Sequence, residues 1–253
     1  MITKDLFDVT DKVVVVTGGS RGLGRSMVRA FAEAGADVVI TSRKVEACEA
    51  LAKEVEASTG RRAVPVGCHV GYWDQCDALI ERVYDEFGRC DVFVNNAGMS
   101  PLYENVQSIT EELYDKTHMV NLKGPFRLAT QVGARMAAAD GGSIINVSTA
   151  GSMMIGTGEL VYACAKAGLN AMTVGLAQAF APKVRVNTIV PGAFLTDVTN
   201  SWTEEMKQST GAPLGRIGRP DEIVGAAIYL ASAASSYTTG AELRVDGGIT
   251  RRV

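Results

Sequence analysis

The sequence contains few residues of the kinds that bind metals or form disulfide bonds. Its 253 residues include two histidines and five cysteines, and no two cysteines are spaced as Cys-x-x-Cys. Structural zinc sites use cysteine and histidine ligands at short, regular spacings, so no metal site is expected. An odd number of dispersed cysteines is typical of reduced thiols, which favours a cytoplasmic protein.

The chain also has no excess of positive charge and no long apolar segment. Its formal net charge is −3, which provides no attractive field for nucleic acid or for anionic membranes. No uninterrupted apolar run reaches the roughly 18 residues of a membrane-spanning helix, and residues 1–5 do not resemble the start of a signal peptide. We therefore expect neither nucleic acid nor a membrane among its partners.

Short apolar runs alternate with helix-compatible segments along the chain. The first run, four valines at 13–16, is typical of a parallel strand that is covered on both faces. Because no linker interrupts the alternation, it predicts one α/β domain over 1–253 with a doubly wound parallel sheet. Further strands are expected at 37–41, 63–67, 92–94, 143–147, 184–189 and 242–245, and helices at 21–34, up to about 58, 72–87, 110–139 (two helices), 160–180, around 203–207 and 220–231.

A glycine-rich loop, residues 17–24, lies between the first predicted strand and the first predicted helix. Glycines there allow a tight turn, and the N–H groups of the helix start can meet a pyrophosphate. A similar position after the fourth strand is occupied by residues 95–98, which we call the NNAG loop. The residues expected to contact a dinucleotide here are Gly18, Ser20, Arg21, Gly22, Leu23 and Gly24, with Asn95, Asn96, Ala97 and Gly98.

The end of the second strand indicates which dinucleotide is bound. An acidic residue at that place would accept hydrogen bonds from the ribose 2′-hydroxyl of NAD(H). This chain has Ser42, Arg43 and Lys44 instead, and a hydroxyl followed by two cations suits a 2′-phosphate. The sequence therefore predicts NADP(H) in preference to NAD(H).

Tyr162 and Lys166 are four residues apart in a helix-compatible segment, so both side chains are expected on one helix face. A tyrosine with an ordinary pKa near 10 is a poor acid at neutral pH, and a neighbouring cation lowers that pKa. The pair therefore suits proton transfer to a carbonyl that is being reduced, or from an alcohol that is being oxidised.

In sequence order, these motifs resemble those of the short-chain dehydrogenase/reductase family over residues 12–248. The resemblance includes the glycine loop, the NNAG loop, the Tyr-x-x-x-Lys pair, Pro191 with Gly192, and the Val-Asp-Gly-Gly sequence at 245–248. It implies a Rossmann-type sheet of about seven strands, a nicotinamide dinucleotide, and a homotetramer or homodimer.

The resemblance also implies roles for individual residues. Tyr162 corresponds to the general acid/base, Lys166 to the residue that lowers its pKa and holds the nicotinamide ribose, and Asn121 to a proton-relay residue. His69 and Val70 replace the commoner Asp-Val, as in NADPH-dependent carbonyl reductases of the family. The segment expected to bind the carboxamide contains Pro191, Gly192, Phe194 and Thr196.

The substrate-orienting hydroxyl has two candidates by the same resemblance. Counting thirteen residues back from Tyr162 reaches Thr149, whereas the local Ser-x-Ala-Gly pattern indicates Ser148. Neighbouring strand residues face opposite sides, so both cannot point at the substrate unless the strand has ended. The ungapped register slightly favours Thr149, and both stay candidates.

The expected reaction is hydride transfer between NADP(H) and a carbonyl/secondary alcohol pair. Methionines and a tryptophan near the site, including Trp202 and Met206 in an expected lid at 194–216, suggest a small or medium apolar substrate. A 3-oxoacyl-thioester reductase is the nearest alternative. A non-catalytic NADP-binding sensor is disfavoured because the tyrosine and the lysine are both present.

Overall fold

A seven-stranded, fully parallel sheet forms the centre of the computed structural model, which describes residues 3–197, 199, 203 and 211–250. The strand order is β3-β2-β1-β4-β5-β6-β7. The strands are β1 (Val13–Thr17), β2 (Asp37–Ser42), β3 (Ala63–Gly67), β4 (Val92–Asn95), β5 (Gly142–Val147), β6 (Val184–Pro191) and β7 (Glu242–Val245). The predicted fold class is therefore confirmed.

Helices cover both faces of this sheet, and each face has its own apolar core. The described helices are α1 (Thr3–Leu6), α2 (Gly22–Glu33), α3 (Val45–Thr59), α4 (Trp73–Phe87), α5 (Glu111–His118), α6 (Gly124–Ala138), α7 (Leu160–Ala179) and α8 (Val224–Ala231). Val14 and Val16 of β1 pack with α2, α3 and α8, whereas Val13 and Val15 pack with α4, α6 and α7. Successive side chains of a strand face opposite sides, which explains why all four valines are buried.

The order in which successive strands are added to the sheet reverses between β1 and β4. β1 pairs with β2 on one side and with β4 on the other, so the connections leave this point toward opposite edges of the sheet. In open α/β sheets such a reversal opens a crevice at the carboxyl ends of the strands. The glycine loop follows β1 and the NNAG loop follows β4, so both loops lie at this crevice.

The predicted elements agree with the described ones to within about two residues at most ends. One difference is at the predicted pair of helices in 110–139, where a π-helical segment, Met119–Lys123, joins α5 to α6 without a break. Another is at the last helix, which begins with a 3₁₀ turn over Pro220–Ile223. Trp202 and Met206, and most of the expected helix around 203–207, lie outside the described residues.

Helix α7 with the turn before it (Thr157–Ala179) is long and apolar enough to cross a membrane by length and composition alone. Half of its most apolar window is buried, and α7 packs against β6. The core helix of a globular domain has the same properties, and α7 buries polar Lys166 and Thr173 within the protein.

Candidate active site

The glycine loop forms a backbone surface that only glycines permit. Gly18 has a positive φ of 63°, and a Cβ atom at Gly24 would lie 2.2 Å from the Gly18 carbonyl oxygen. Helix α2 starts beside this surface, where Arg21 at the N-cap gives no side-chain cap and the first turn holds no acidic residue. The first N–H groups of α2 are thus left without a capping side chain, as a pyrophosphate-binding helix start requires. These features fit a dinucleotide.

Thr17 and Asn96 hold the glycine loop and the NNAG loop together. The Thr17 hydroxyl accepts hydrogen bonds from the backbone N–H groups of Asn96 and Ala97 at 2.9 and 3.0 Å. In return, Asn96 Nδ2 donates to the carbonyl oxygens of Thr17 and Gly18 at 2.8 and 3.2 Å. Sequence reasoning assigned Asn96 to ligand contact and gave Thr17 no role. The structure makes both of them supports of the crevice.

Asn95 is buried and belongs to a polar chain that crosses the sheet. Its Nδ2 donates to Asn146 Oδ1 at 3.0 Å, and Asn146 Nδ2 donates to the Thr173 hydroxyl at 2.8 Å. The Thr188 hydroxyl donates to that same oxygen, also at 2.8 Å. This chain links β4, β5, β6 and α7, so the side chain of Asn95 supports the site from behind.

The segments after β2 and β3 lie together at the far end of the crevice. Arg43 and Lys44 are exposed, and no carboxylate of the described residues pairs with either cation. His69 is close enough to Arg43 for the guanidinium to lower the histidine pKa, although burial is the larger cause of that shift. The Ser42 hydroxyl donates to Lys44 O at 2.9 Å. Val70 is buried in the core, so its side chain faces away from solvent.

Tyr162 and Lys166 emerge from one face of α7, with the lysine Nζ 5.9 Å from the centroid of the tyrosine ring. Lys166 is buried, and its Nζ donates to Val147 O at the end of β5 at 2.7 Å. Burial lowers the pKa of Lys166 to about 7. Both side chains therefore reach the carboxyl end of β5, one turn apart as the spacing predicts.

The expected lowering of the Tyr162 pKa is not found in this structure. Burial raises that pKa, the carboxylate of Glu159 raises it further, and the neighbouring Thr149 side chain opposes both. Desolvation disfavours the phenolate more than its surroundings stabilise it. Tyr162 is consequently protonated at neutral pH and is in the state that can donate a proton.

The two candidate hydroxyls differ in where they point. β5 ends at Val147, so Ser148 and Thr149 are not constrained to alternate as strand residues. Ser148 is buried, and its hydroxyl lies 3.5 Å from Lys166 O and from the Ser152 hydroxyl. Thr149 is half-buried, and its side chain is close enough to Tyr162 to lower the tyrosine pKa against the effect of burial. The geometry favours Thr149 as the hydroxyl on the tyrosine side.

Asn121 lies in the π-helical segment and is fully buried behind the NNAG loop. A Cβ atom at Gly98 would be 3.0 Å from Asn121 Oδ1 and 3.7 Å from Lys166 Nζ. The backbone of Gly98 thus lies between the asparagine and the lysine. The three residues are brought together as the family resemblance implies.

The last candidate segment follows β6 and faces the glycine loop. A Cβ atom at Gly22 would lie 3.5 Å from the methyl group of Thr196, and the Arg21 guanidinium is 3.5 Å from the Asp197 carboxylate. Pro191 ends β6, and Gly192 is packed against the backbone of Asp246. Phe194 belongs to the apolar core on the α2 face of the sheet, and Leu23 packs against that core. Neither side chain is therefore free to contact a dinucleotide.

Sequence reasoning missed Glu159, which lies beside Tyr162. A carboxylate three residues before the tyrosine is one helical turn away, and this spacing is the signal that could have identified it. Burial raises the pKa of Glu159.

A parallel sheet with a phosphate cradle at its β1/β4 crevice and a tyrosine–lysine pair beside it defines a dinucleotide-dependent oxidoreductase. A family model described as enoyl-(acyl carrier protein) reductase matches residues 18–250. The chain belongs to the short-chain dehydrogenase/reductase family.

Relatives in this family have different substrates. A 3-oxoacyl-(acyl-carrier-protein) reductase of Chlamydia trachomatis is 37% identical over 244 residues, covering 95% of this chain and 98% of that protein. An NAD-dependent glycerol dehydrogenase of Listeria innocua is 34% identical over 250 residues, covering 96% of each. The structure of a gluconate 5-dehydrogenase from Burkholderia cenocepacia with NADP and tartrate is 32% identical, with a TM-score of 0.94 and full coverage of both chains.

Proposed function

We propose that this protein transfers hydride reversibly between NADP(H) and a carbonyl/secondary alcohol pair on a small or medium apolar substrate. The observation that carries the proposal is the grouping of Tyr162, Thr149 and Lys166 at the end of β5, beside the glycine loop. The dinucleotide, when bound, supplies or accepts the hydride.

Each residue of the group has a defined task in reduction. Tyr162 donates its hydroxyl proton to the substrate oxygen as charge develops there. The Thr149 hydroxyl donates a hydrogen bond to the same oxygen and orients it. Protonated Lys166 stabilises the tyrosinate that remains. Asn121 is hydrogen-bonded to the residue after Gly98 and so holds the NNAG loop close to Lys166. Reduction needs Tyr162 in its protonated state, and protonated Lys166 would lower the tyrosine pKa as the proton leaves.

The preference for NADP(H) rests on charge at the ends of β2 and β3. Arg43 and Lys44 are exposed cations without a carboxylate partner among the described residues, and Arg43 lies near His69. A 2′-phosphate would pair with such cations, whereas a ribose hydroxyl would gain little from them. Ser42, Arg43, Lys44 and His69 would hold the phosphate and ribose end of the dinucleotide. The glycine loop and the 191–196 segment would hold the pyrophosphate and the nicotinamide end.

Exposed apolar side chains on the segments after β4, β5 and β6 support an apolar substrate. Leu102, Met154, Ile155 and Leu195 are between 44% and 86% exposed. The alternative of a 3-oxoacyl-thioester substrate is favoured by the activity named for the relative from Chlamydia trachomatis. Comparing rates with acetoacetyl-thioester and with simple ketones would separate the two.

We further propose that the chain acts as one catalytic domain over 1–253, with residues 194–216 as its substrate lid. We also propose that it acts in the cytoplasm and as a homotetramer. The exposed side of α7 supports self-association because it presents Cys164, Ala171 and Val174, none of them charged. Sedimentation equilibrium should give a multiple of the 26.7 kDa chain mass. A species at the chain mass would contradict the assembly but leave the activity untouched.

The decisive experiment follows NADPH absorbance with a panel of ketones and aldehydes, using the intact protein and Tyr162→Phe. Turnover with at least one carbonyl compound is expected, and the variant should lose it by roughly 10²- to 10⁴-fold. NADPH affinity, measured by fluorescence titration, should stay within a few-fold. Full activity in Tyr162→Phe would refute the assignment.

A further inference from the structure

One carboxylate at the candidate active site is not used by the reaction derived above. Glu159 lies immediately before α7, and its Oε1 is close to Gly151, where an added Cβ atom would be 2.5 Å from it. Gly151 N donates to the Thr149 hydroxyl at 3.1 Å, so the carboxylate is next to the turn that carries Thr149. Its charge also acts on Tyr162. Glu159 therefore lies beside both residues that would contact the substrate oxygen.

This carboxylate is half-buried without a partner. Among the residues that the structure describes, no ion pair or hydrogen bond engages its oxygen atoms. Burial raises its pKa and no cation offsets that effect. A partly desolvated carboxylate that has no donor or cation from the protein relies on its remaining hydration, so it is open to a cationic ligand.

A structural role at the start of α7 does not explain Glu159 either. Carboxylates near a helix N-terminus are stabilised when they cap backbone N–H groups, and such capping lowers their pKa. Glu159 occupies the N-cap of α7 but makes no side-chain cap, and its pKa shifts in the opposite direction. Its side chain is directed to the Gly151 turn instead.

The backbone on either side of Glu159 is held by a tyrosine from another segment. The Tyr103 hydroxyl donates to Thr157 O at 2.6 Å and accepts from Leu160 N at 2.6 Å, on either side of Glu159. Tyr103 belongs to the connection after the NNAG loop, so its two hydrogen bonds join the turn that presents Glu159 to the segment that follows β4. The backbone that presents the carboxylate is therefore held in place before a ligand binds.

We propose that Glu159 selects substrates that carry a cationic nitrogen near the reacting carbonyl, such as cyclic amino ketones. This inference rests on the proposed carbonyl chemistry, and it specifies the substrate class that the same site prefers. An ammonium group beside Glu159 would offset the desolvation of the carboxylate while the carbonyl oxygen contacts Thr149 and Tyr162. An anionic substrate would meet like charge and be disfavoured.

The test uses two ketones of nearly equal shape, N-methyl-4-piperidone, which is cationic at neutral pH, and 4-methylcyclohexanone, which is neutral. Their affinities for the NADP⁺-loaded protein are measured by calorimetry. The cationic ketone should bind about tenfold more tightly, and the ratio should fall close to one in Glu159→Gln. Glu104→Gln removes an exposed carboxylate close to Tyr103 in sequence and should leave the ratio unchanged.

Several outcomes would overturn the inference. The first is that the cationic and neutral ketones bind the unaltered protein with equal affinity. The second is that the ratio of their affinities does not change in Glu159→Gln. The third is that neutral 4-hydroxycyclohexanone binds as tightly as the cationic ketone, which would indicate hydrogen bonding rather than charge. Glu159→Gln could also weaken the binding of NADP⁺ relative to NADPH while the ratio of the two ketone affinities stays the same. That result would overturn the inference because the carboxylate would then face the dinucleotide. Turnover is measured separately: if the ketones bind with the expected ratio but no carbonyl compound is reduced, the proposed function fails and the charge preference stands.

Discussion

Asn121 holds both backbone groups of Met99, because its Nδ2 donates to Met99 O at 2.8 Å and its Oδ1 accepts from Met99 N at 3.1 Å. The same Nδ2 donates to Thr117 O at 2.9 Å. One buried amide thus joins α5 to the residue that follows Gly98. The NNAG loop cannot move away from Lys166 without breaking these bonds.

Replacing Asn121 by alanine should therefore cost both stability and activity. One buried and two partly buried backbone groups lose their partner, and we expect the free energy of unfolding to fall by about 2–4 kcal/mol in urea denaturation. Asn105→Ala is the matched control, since Asn105 caps an exposed turn and should cost about 1 kcal/mol or less. Similar losses in the two variants would contradict the anchoring role of Asn121.

The choice between the two hydroxyls can be decided by kinetics. Thr149→Val removes the hydroxyl that lies beside Tyr162 and should lower kcat by roughly 10²- to 10³-fold. Ser148→Ala should change kcat only a few-fold, because the Ser148 hydroxyl faces Lys166 O and Ser152. Thr149→Ser should restore most of the activity. A larger decrease in kcat for Ser148→Ala than for Thr149→Val would instead identify Ser148 as the substrate-orienting hydroxyl.

Gly24 provides a test of the cradle that separates helix propensity from close approach. Alanine is the better helix former, yet its Cβ atom at this position would lie 2.2 Å from Gly18 O and 2.6 Å from Asn96 Nδ2. Gly24→Ala should lower stability by about 1–3 kcal/mol and abolish NADPH binding in a fluorescence titration. Gly225→Ala in α8 meets nothing within 4 Å and should raise stability by about 0.5–1 kcal/mol. Equal behaviour of the two variants would mean that the loop adapts.

Burial of Lys166 should be visible in the pH dependence of stability. Its pKa is about 7 in the folded protein, against roughly 10.4 for an ordinary lysine. Between these values the unfolded chain binds more protons, so this group makes the folded state more stable as pH rises. We therefore compare the dinucleotide-free protein with the Lys166→Met variant. Relative to the variant, the unaltered protein should become about 2 kcal/mol more stable between pH 7 and pH 9.

The exposed Lys183 provides the control for that measurement. Lys183→Met removes a lysine that donates to Ala139 O at the surface, and it should shift stability equally at both pH values. Urea denaturation at pH 7 and pH 9 gives both comparisons. A constant difference between the unaltered protein and Lys166→Met would show that the lysine is not desolvated.

The dinucleotide preference should depend on Arg43. Arg43→Ala is expected to raise the KM for NADPH by about 10- to 100-fold, because a charge-assisted hydrogen bond to phosphate is lost. The KM for NADH should change only a few-fold. Arg62→Ala removes another exposed arginine, one that pairs with Glu86, and should leave both values unchanged. A parallel loss for NADH and NADPH in Arg43→Ala would contradict phosphate recognition.

Much of the architecture could be predicted because the local signals agree with the tertiary structure. The four valines at 13–16 predict a doubly covered strand, and they are buried in two different cores. The Tyr162–Lys166 spacing predicts a shared helix face, which the structure confirms. The resemblance to the family is confirmed by the matching family model.

The remaining features depend on contacts between distant segments. The sequence gives no measure of desolvation, so the raised pKa of Tyr162 could not be foreseen from its spacing to Lys166. The end of β5 at Val147 decides where Ser148 and Thr149 point, and strand ends are the least predictable part of an element. The place of Glu159 depends on Tyr103, which lies 56 residues earlier in the numbering.

The central position of β1 has a consequence for synthesis on the ribosome. β1 is translated before the other strands of this sheet, and β2 can cover one of its edges soon afterwards, but β4, its other neighbour, emerges only after residue 91. Until then the four valines present an uncovered, β-prone edge to other chains. Tyr162 and Lys166 are made later still, so dinucleotide binding cannot rescue the nascent chain during this interval.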